Sequence, residues 1–143
     1  MVRIERNILI NAPVEKVFAY HSDPKNSPEY WPSFQEVKDI ESLPNGGNKY
    51  NWVYKMAGIR LNGSTTTTEF EENKLLSIKS EGGIDSTFSY TYQTEGDGTR
   101  LNLVVEYTVP IPVLGKLAES FILKMNEREA DTVMANLKGL LEA

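Results

Sequence analysis

After Pro110 and Pro112 the chain runs to Ala143 with no further proline and only two glycines, Gly115 and Gly139. At 3.6 residues per turn, that is room for about eight helical turns. This segment constrains the fold most, because nearly everything before it reads as strands. One long helix must then cover a whole sheet. Its apolar stripe is not straight. Leu114, Leu117, Ala118, Phe121 and Met125 share a face in the first half, while Ala130, Val133, Leu137, Leu140 and Leu141 lie about a third of a turn further round. The two halves are therefore expected to pack on two different things.

From Phe34 to Val109 the chain alternates between period-two runs and turn chemistry. Tyr50, Trp52, Tyr54 and Met56 form one apolar face. Ile84, Phe88, Tyr90 and Tyr92 form a second, and Leu101, Leu103, Val105, Tyr107 and Val109 a third. Each reads as a strand with one buried and one wet face, as in an antiparallel sheet. Asn45-Gly46-Gly47, Glu71-Glu72-Asn73, Glu81-Gly82-Gly83 and Glu95-Gly96-Asp97-Gly98 mark turns. Of two competing signals, Ala57-Gly58 and Asn62-Gly63, the first is preferred as a turn, with Gly63 at a bulge. Six strands result, and the alternation of Val2, Ile4, Ile8 and Ile10 adds a seventh at the start.

Between the first and second strands the pattern turns helical. Asn11 or Ala12 caps a short helix with Pro13 at its first position, and Val14, Val17, Phe18 and His21 follow at helical spacing. Asp23-Pro24 ends that helix, and a second short helix or tight loop leads to Tyr30-Trp31-Pro32. The layout predicts an α+β protein: a curved seven-stranded antiparallel sheet wrapped around a long C-terminal helix, with two short helices between strands 1 and 2. Such a helix-grip closes only if the sheet curls.

Composition narrows the chemistry. With no Cys and one His among 143 residues, thiolate zinc sites, iron–sulfur clusters, cysteine nucleophiles and two-imidazole metal sites are excluded. The net charge is −5 and the Lys and Arg residues form no cluster, so nucleic acid is not an expected partner. No apolar run reaches the ~18 residues of a membrane span. The opening Met-Val-Arg-Ile-Glu-Arg lacks a signal peptide's apolar region, so a cytoplasmic location is expected.

Several short motifs then occur in a fixed order. They are Ile10-Asn11-Ala12-Pro13-Val14-Glu15-Lys16-Val17-Phe18, Asp23-Pro24 leading to Trp31-Pro32, Thr68-Glu69-Phe70 with Leu75-Leu76, and Gly98-Thr99-Arg100-Leu101 before the final strand and helix. In that order and spacing the chain resembles the START-like (SRPBCC) superfamily. That superfamily includes birch-pollen-allergen-like proteins and the polyketide cyclase/dehydrase group. The resemblance implies one START-like domain over residues 1–143, with a deep apolar cavity between sheet and helix that takes hydrophobic small molecules. The ligands of iron-oxygenase members are missing, and no cofactor is expected.

The residues expected to line that cavity are Trp31, Tyr50, Trp52, Tyr54, Phe88, Tyr90, Val105 and Tyr107 on one side, with Leu117, Phe121 and Met125 facing them from the helix. Tyr and Trp suit such a wall because each joins apolar area to a polar tip that must find a partner. Any one of them could equally be ordinary core. Val133, Leu137 and Leu140 are read as plain packing. His21, at a helix C-terminus where the dipole favours its charged form, is read as a cap rather than a catalyst. Arg6 and Ser86 are candidate polar anchors, although Arg6 could instead emerge at the sheet edge. Glu69, Asp85 and Glu106 fall on wet faces, and no carboxylate pair with acid–base geometry is evident. The expected function is binding of a lipid, polyketide or aromatic metabolite. The alternatives are a cyclase/dehydrase acting on such a ligand, or a co-chaperone-like interaction module.

Overall fold

The first strand, β1 (Val2–Ile10), pairs along its whole length with the last, β7 (Gly98–Tyr107), and this closes the chain's ends onto each other. The computed structural model describes the backbone of residues 2–56, 58–82, 85–108 and 115–143, and within these the side chains of all but Met56 and residues 115–122. Between β1 and β7 run α1 (Val14–His21), a 3-10 turn (Pro24–Asn26) and α2 (Ser27–Tyr30). Then follow β2 (Phe34–Ser42), β3 (Asn48–Met56), β4 (Ile59–Glu71), β5 (Leu75–Gly82) and β6 (Ser86–Glu95). The C-terminal helix α3 spans Gly115–Glu142. The sheet order is β1-β7-β6-β5-β4-β3-β2, every pair antiparallel, so β1 and β2 are its edges. The sheet curves, and α3 packs across its concave side against β1. This is the α+β helix-grip.

Local chemistry sets these boundaries. Pro13 sits at the cap of α1 with an extended ψ of 150°, so the helix begins at Val14, one residue later than the sequence pattern predicts. Asp23 accepts a hydrogen bond from the Lys25 N–H at 3.1 Å and starts the turn that follows. Gly58 adopts a φ of 80°, and the chain turns there, between Met56 and Ile59. The expected bulge at Gly63 is absent: Gly63 stands in regular register opposite both Trp52 and Gly82. The irregularity in β4 lies instead between Thr67 and Glu69. Gly63 is required for a different reason. A Cβ there would meet the Trp52 ring at 2.4 Å and the Glu81 carbonyl at 2.5 Å, so it makes room for the indole.

The main core joins Ile4, Ile10, Val17, Phe18, Leu101, Leu103, Val133, Met134, Leu137 and Leu141, all buried. The second half of α3 thus seals the sheet, as its stripe predicts. Leu140 is the exception, 44% exposed. It lies about 100° round the helix from the buried Leu141, which takes the core-facing position instead. Arg6 emerges at the edge of the sheet, where its Nε donates to Asp131 of α3 at 2.6 Å.

Candidate functional site

Two adjacent chambers lie in the concavity. The first, about 70 Å³, is lined by apolar and aromatic side chains from β1 (Ile4), the α2–β2 corner (Trp31), β2 (Phe34), β3 (Trp52, Tyr54), β6 (Phe88) and β7 (Leu103, Val105, Tyr107). Asn126, Glu129 and Ala130 of α3 form its helical wall, and Ser80 and Ser86 add small hydroxyls. The second, about 50 Å³, is walled by His21, Ser27, Tyr30, Tyr50, Thr65, Thr67 and Tyr90 with Leu76, Ile78 and neighbours. Trp31, Phe34, Ser80 and Phe88 belong to both linings. Both chambers fall below the ~300–1,000 Å³ usual for drug-sized ligands.

The space exists because the inward positions of β4–β6 carry small residues. Thr65, Thr67, Ser80 and Ser86 face the interior where a filled core would place large aliphatics. Opposite them, Trp52 Nε1 donates to Thr65 Oγ1 at 2.9 Å, and Thr65 Oγ1 lies 2.6 Å from Ser80 Oγ. The aromatic rings meet mostly edge to face, as their quadrupoles favour: Trp31 with Phe34 at 5.5 Å, Trp31 with Phe88 at 5.6 Å, and Phe34 with Tyr54 at 5.0 Å.

Of the residues the sequence singles out, Trp31, Trp52, Tyr54, Phe88, Val105 and Tyr107 line the first chamber. Tyr50 and Tyr90 line the second. Met125 packs against the Tyr50–Trp52–Tyr54 cluster without reaching either space. The side chains of Leu117 and Phe121 lie outside the described residues. Ala130, read as part of the core-sealing half of α3, lines the first chamber. Ser86 stands in that lining, whereas Arg6 does not.

One residue of the chamber wall escapes the sequence reading. Glu129 projects from α3 into the first chamber's wall, where Tyr54 Oη and Ser33 Oγ both donate to its carboxylate. Trp31 Nε1 donates to Glu129 Oε1 at 2.5 Å and lies 3.2 Å from Tyr54 Oη. Beside this group, Asn126 Nδ2 donates to Tyr107 Oη at 2.7 Å. A sequence signal for it exists. Met125, Glu129, Val133 and Leu137 follow at i, i+4 spacing, so Glu129 is an acid interrupting an apolar stripe. Burial, with the Glu129 charge adding to it, raises the Tyr54 hydroxyl's pKa, and burial raises that of Tyr90. Tyr50 is pushed up to about 12 by burial. All three keep their protons and remain donors near neutral pH.

His21 overturns its sequence reading. It is buried, its Nδ1 lies 2.6 Å from Tyr92 Oη, and Tyr90 meets its ring edge to face at 4.3 Å. Burial pushes its pKa from 6.5 down to about 4. The helix dipole, worth at most about 2 kcal/mol, does not offset the loss of hydration, so the imidazole is neutral. Among the described residues, no group of three or more His, Cys, Asp or Glu could hold a metal ion, and no helix is long and apolar enough to cross a membrane.

A curved antiparallel sheet gripping one long helix over an aromatic-lined interior is the helix-grip fold. Within it, the chain belongs to the family described as polyketide cyclase/dehydrase and lipid transport, whose model matches residues 1–142. A search among curated proteins finds no match. Among solved structures, the chain is similar to a protein of Thermus thermophilus, with a TM-score of 0.84 and 19% identity, covering 96% of this chain and 95% of that one. It is similar also to a START superfamily protein from Mycobacterium smegmatis, with a TM-score of 0.82 and 16% identity over 98% and 97% of the two chains. The Zhui aromatase/cyclase from a Streptomyces species superposes with a TM-score of 0.79 at 13% identity, over 99% of this chain and 93% of that one. At these identities the likenesses show the fold alone.

Proposed function

We propose that this protein binds an apolar, ring-containing small molecule in the chamber between the sheet and α3. One observation carries the reading. The first chamber draws apolar side chains from five strands, the α2–β2 corner and the helix, yet its polar groups gather mainly where α3 meets β3 and β7, at Glu129, Tyr54, Asn126 and Tyr107. An apolar wall with a few fixed polar tips is the usual construction of a small-molecule site. Native mass spectrometry of freshly expressed protein tests it. A co-purified apolar molecule is expected, and Ala130→Phe, which fills the chamber from α3, should abolish its retention while leaving the protein folded. A folded variant that retains the same molecule refutes the reading.

The same polar group favours a second reading, an enzyme of the cyclase/dehydrase kind. A carboxylate held in an apolar wall is a candidate base for a proton on carbon next to a carbonyl. The Tyr107 hydroxyl, which accepts from Asn126 and keeps its own proton to give, could donate to the oxygen that gains charge. The two readings separate on one measurement: a bound molecule that persists unchanged for hours marks a carrier, and one that is converted marks an enzyme.

A further inference from the structure

The second chamber differs in kind from the first. None of the described residues that line it is Asp, Glu, Lys or Arg, yet hydroxyls and an imidazole face it from α1, α2, β3, β4 and β6. His21 is 4% exposed, and its Nδ1 is taken by Tyr92, which is not part of the lining. Its other nitrogen, Nε2, has no hydrogen-bond partner among the described residues, and the ring forms part of the chamber wall. Among the described residues no fully buried side-chain polar atom lacks a partner, so Nε2, which has none, is open to the chamber.

We propose that the second chamber is a subsite for the uncharged hydroxyl end of the ligand, an alcohol or phenol bonded to His21 Nε2, with the ligand's apolar body in the first chamber. This rests on the cavity reading above and adds the chemical class of what fills it. A hydroxyl fits whichever way the shared proton lies. If Tyr92 donates to Nδ1, Nε2 carries the hydrogen and the hydroxyl accepts; if Nδ1 donates to Tyr92, Nε2 accepts and the hydroxyl donates. A carboxylate fits neither chamber, since it would enter the second without a cation among the described residues and would face Glu129 in the first. Trp31 and Phe88, in edge contact and common to both linings with Phe34 and Ser80, are the side chains that one molecule spanning both spaces must pass.

Three matched probes test this: naphthalene, 2-naphthol and 2-naphthoate, titrated into the whole protein by fluorescence and by NMR. His21 is the only histidine in the chain, so its imidazole nitrogen signals identify themselves. The expected result is that 2-naphthol binds about tenfold tighter than naphthalene, the yield of one well-placed hydrogen bond. It should also move the His21 nitrogen signals, with 2-naphthoate the weakest of the three. His21→Phe should abolish the preference for 2-naphthol over naphthalene. The imidazole readout uses the unaltered chain, so the test stands even if that variant fails to fold. Equal binding of naphthalene and 2-naphthol with an unmoved imidazole overturns the subsite and leaves the cavity reading intact, as does a preference for 2-naphthoate. Binding by none of the three overturns both.

Discussion

Acidification should destabilise this fold through one residue before most carboxylates titrate. His21 has its pKa lowered from 6.5 to about 4, with burial as the cause. Between those values the unfolded chain takes up a proton that the folded chain refuses, so stability falls as pH falls. Above the unfolded value the contribution is fully present, and below the folded value both states carry the proton and the loss levels off. Each pH unit inside the window removes at most ~1.4 kcal/mol. The loss is then about 1 kcal/mol by pH 5.5 and about 2–3 kcal/mol by pH 4.5. Urea denaturation in steps from about pH 7.5 to 4.5 measures it, read as the free energy extrapolated to water. His21→Phe supplies the control. It gives up the bond to Tyr92 and so is less stable throughout, but it carries no titrating ring, and carboxylate contributions are common to both proteins. The difference between the two slopes isolates the histidine. Parallel curves, or an imidazole seen by NMR to titrate near its ordinary value, would refute the assignment of His21 as a buried neutral group.

Three further perturbations probe the frame and the site. Leu137→Ala removes a fully buried side chain and should cost about 2–5 kcal/mol in chemical denaturation, whereas Leu140→Ala, on the exposed flank of the same turn, should change stability by less than about 0.5 kcal/mol. Gly63→Ala drives a methyl into the Trp52 ring and the Glu81 carbonyl, so a loss of about 2–3 kcal/mol and altered tryptophan fluorescence are expected. Glu129→Leu leaves the donors on Ser33, Tyr54 and Trp31 without their carboxylate and should cost about 2 kcal/mol, while Glu129→Gln keeps an acceptor and should cost less than half as much by the same assay.

The frame was legible because its signals are periodic. Alternation over Tyr50–Tyr54 and Leu101–Tyr107 marks strands whatever they pack on, and the proline-free segment after Pro112 marks the helix. What failed were judgements that depend on where a side chain ends up in three dimensions. His21 sits at a helix end, where the dipole argues for charge, but its burial against Tyr90 and Tyr92 depends on β6, a strand some seventy residues on in sequence. Gly63 reads locally as a turn or bulge, and only the register opposite Trp52 reveals the indole it accommodates. Glu129 is hard to single out from sequence, because an acid on a long helix is ordinarily solvated. Its meaning comes from Trp31, Ser33 and Tyr54 converging on it from the α2–β2 corner and β3.

The small residues facing the interior carry as much of the functional argument as the aromatics. The aromatic rings largely pack on one another. The chambers arise where Thr65, Thr67, Ser80 and Ser86 decline to fill the concavity, an omission that alternation of apolar residues does not register. The second chamber differs from the first, because its hydroxyls and imidazole are groups that ordered water also satisfies. A ligand with an apolar body and one hydroxyl would suit both at once, filling the first space and replacing water in the second. On the proposed reading, ligand polarity would be recognised in the second chamber, by His21 of α1 and the hydroxyls around it, and ligand shape in the first, by walls that include Leu103, Val105 and Tyr107 of β7.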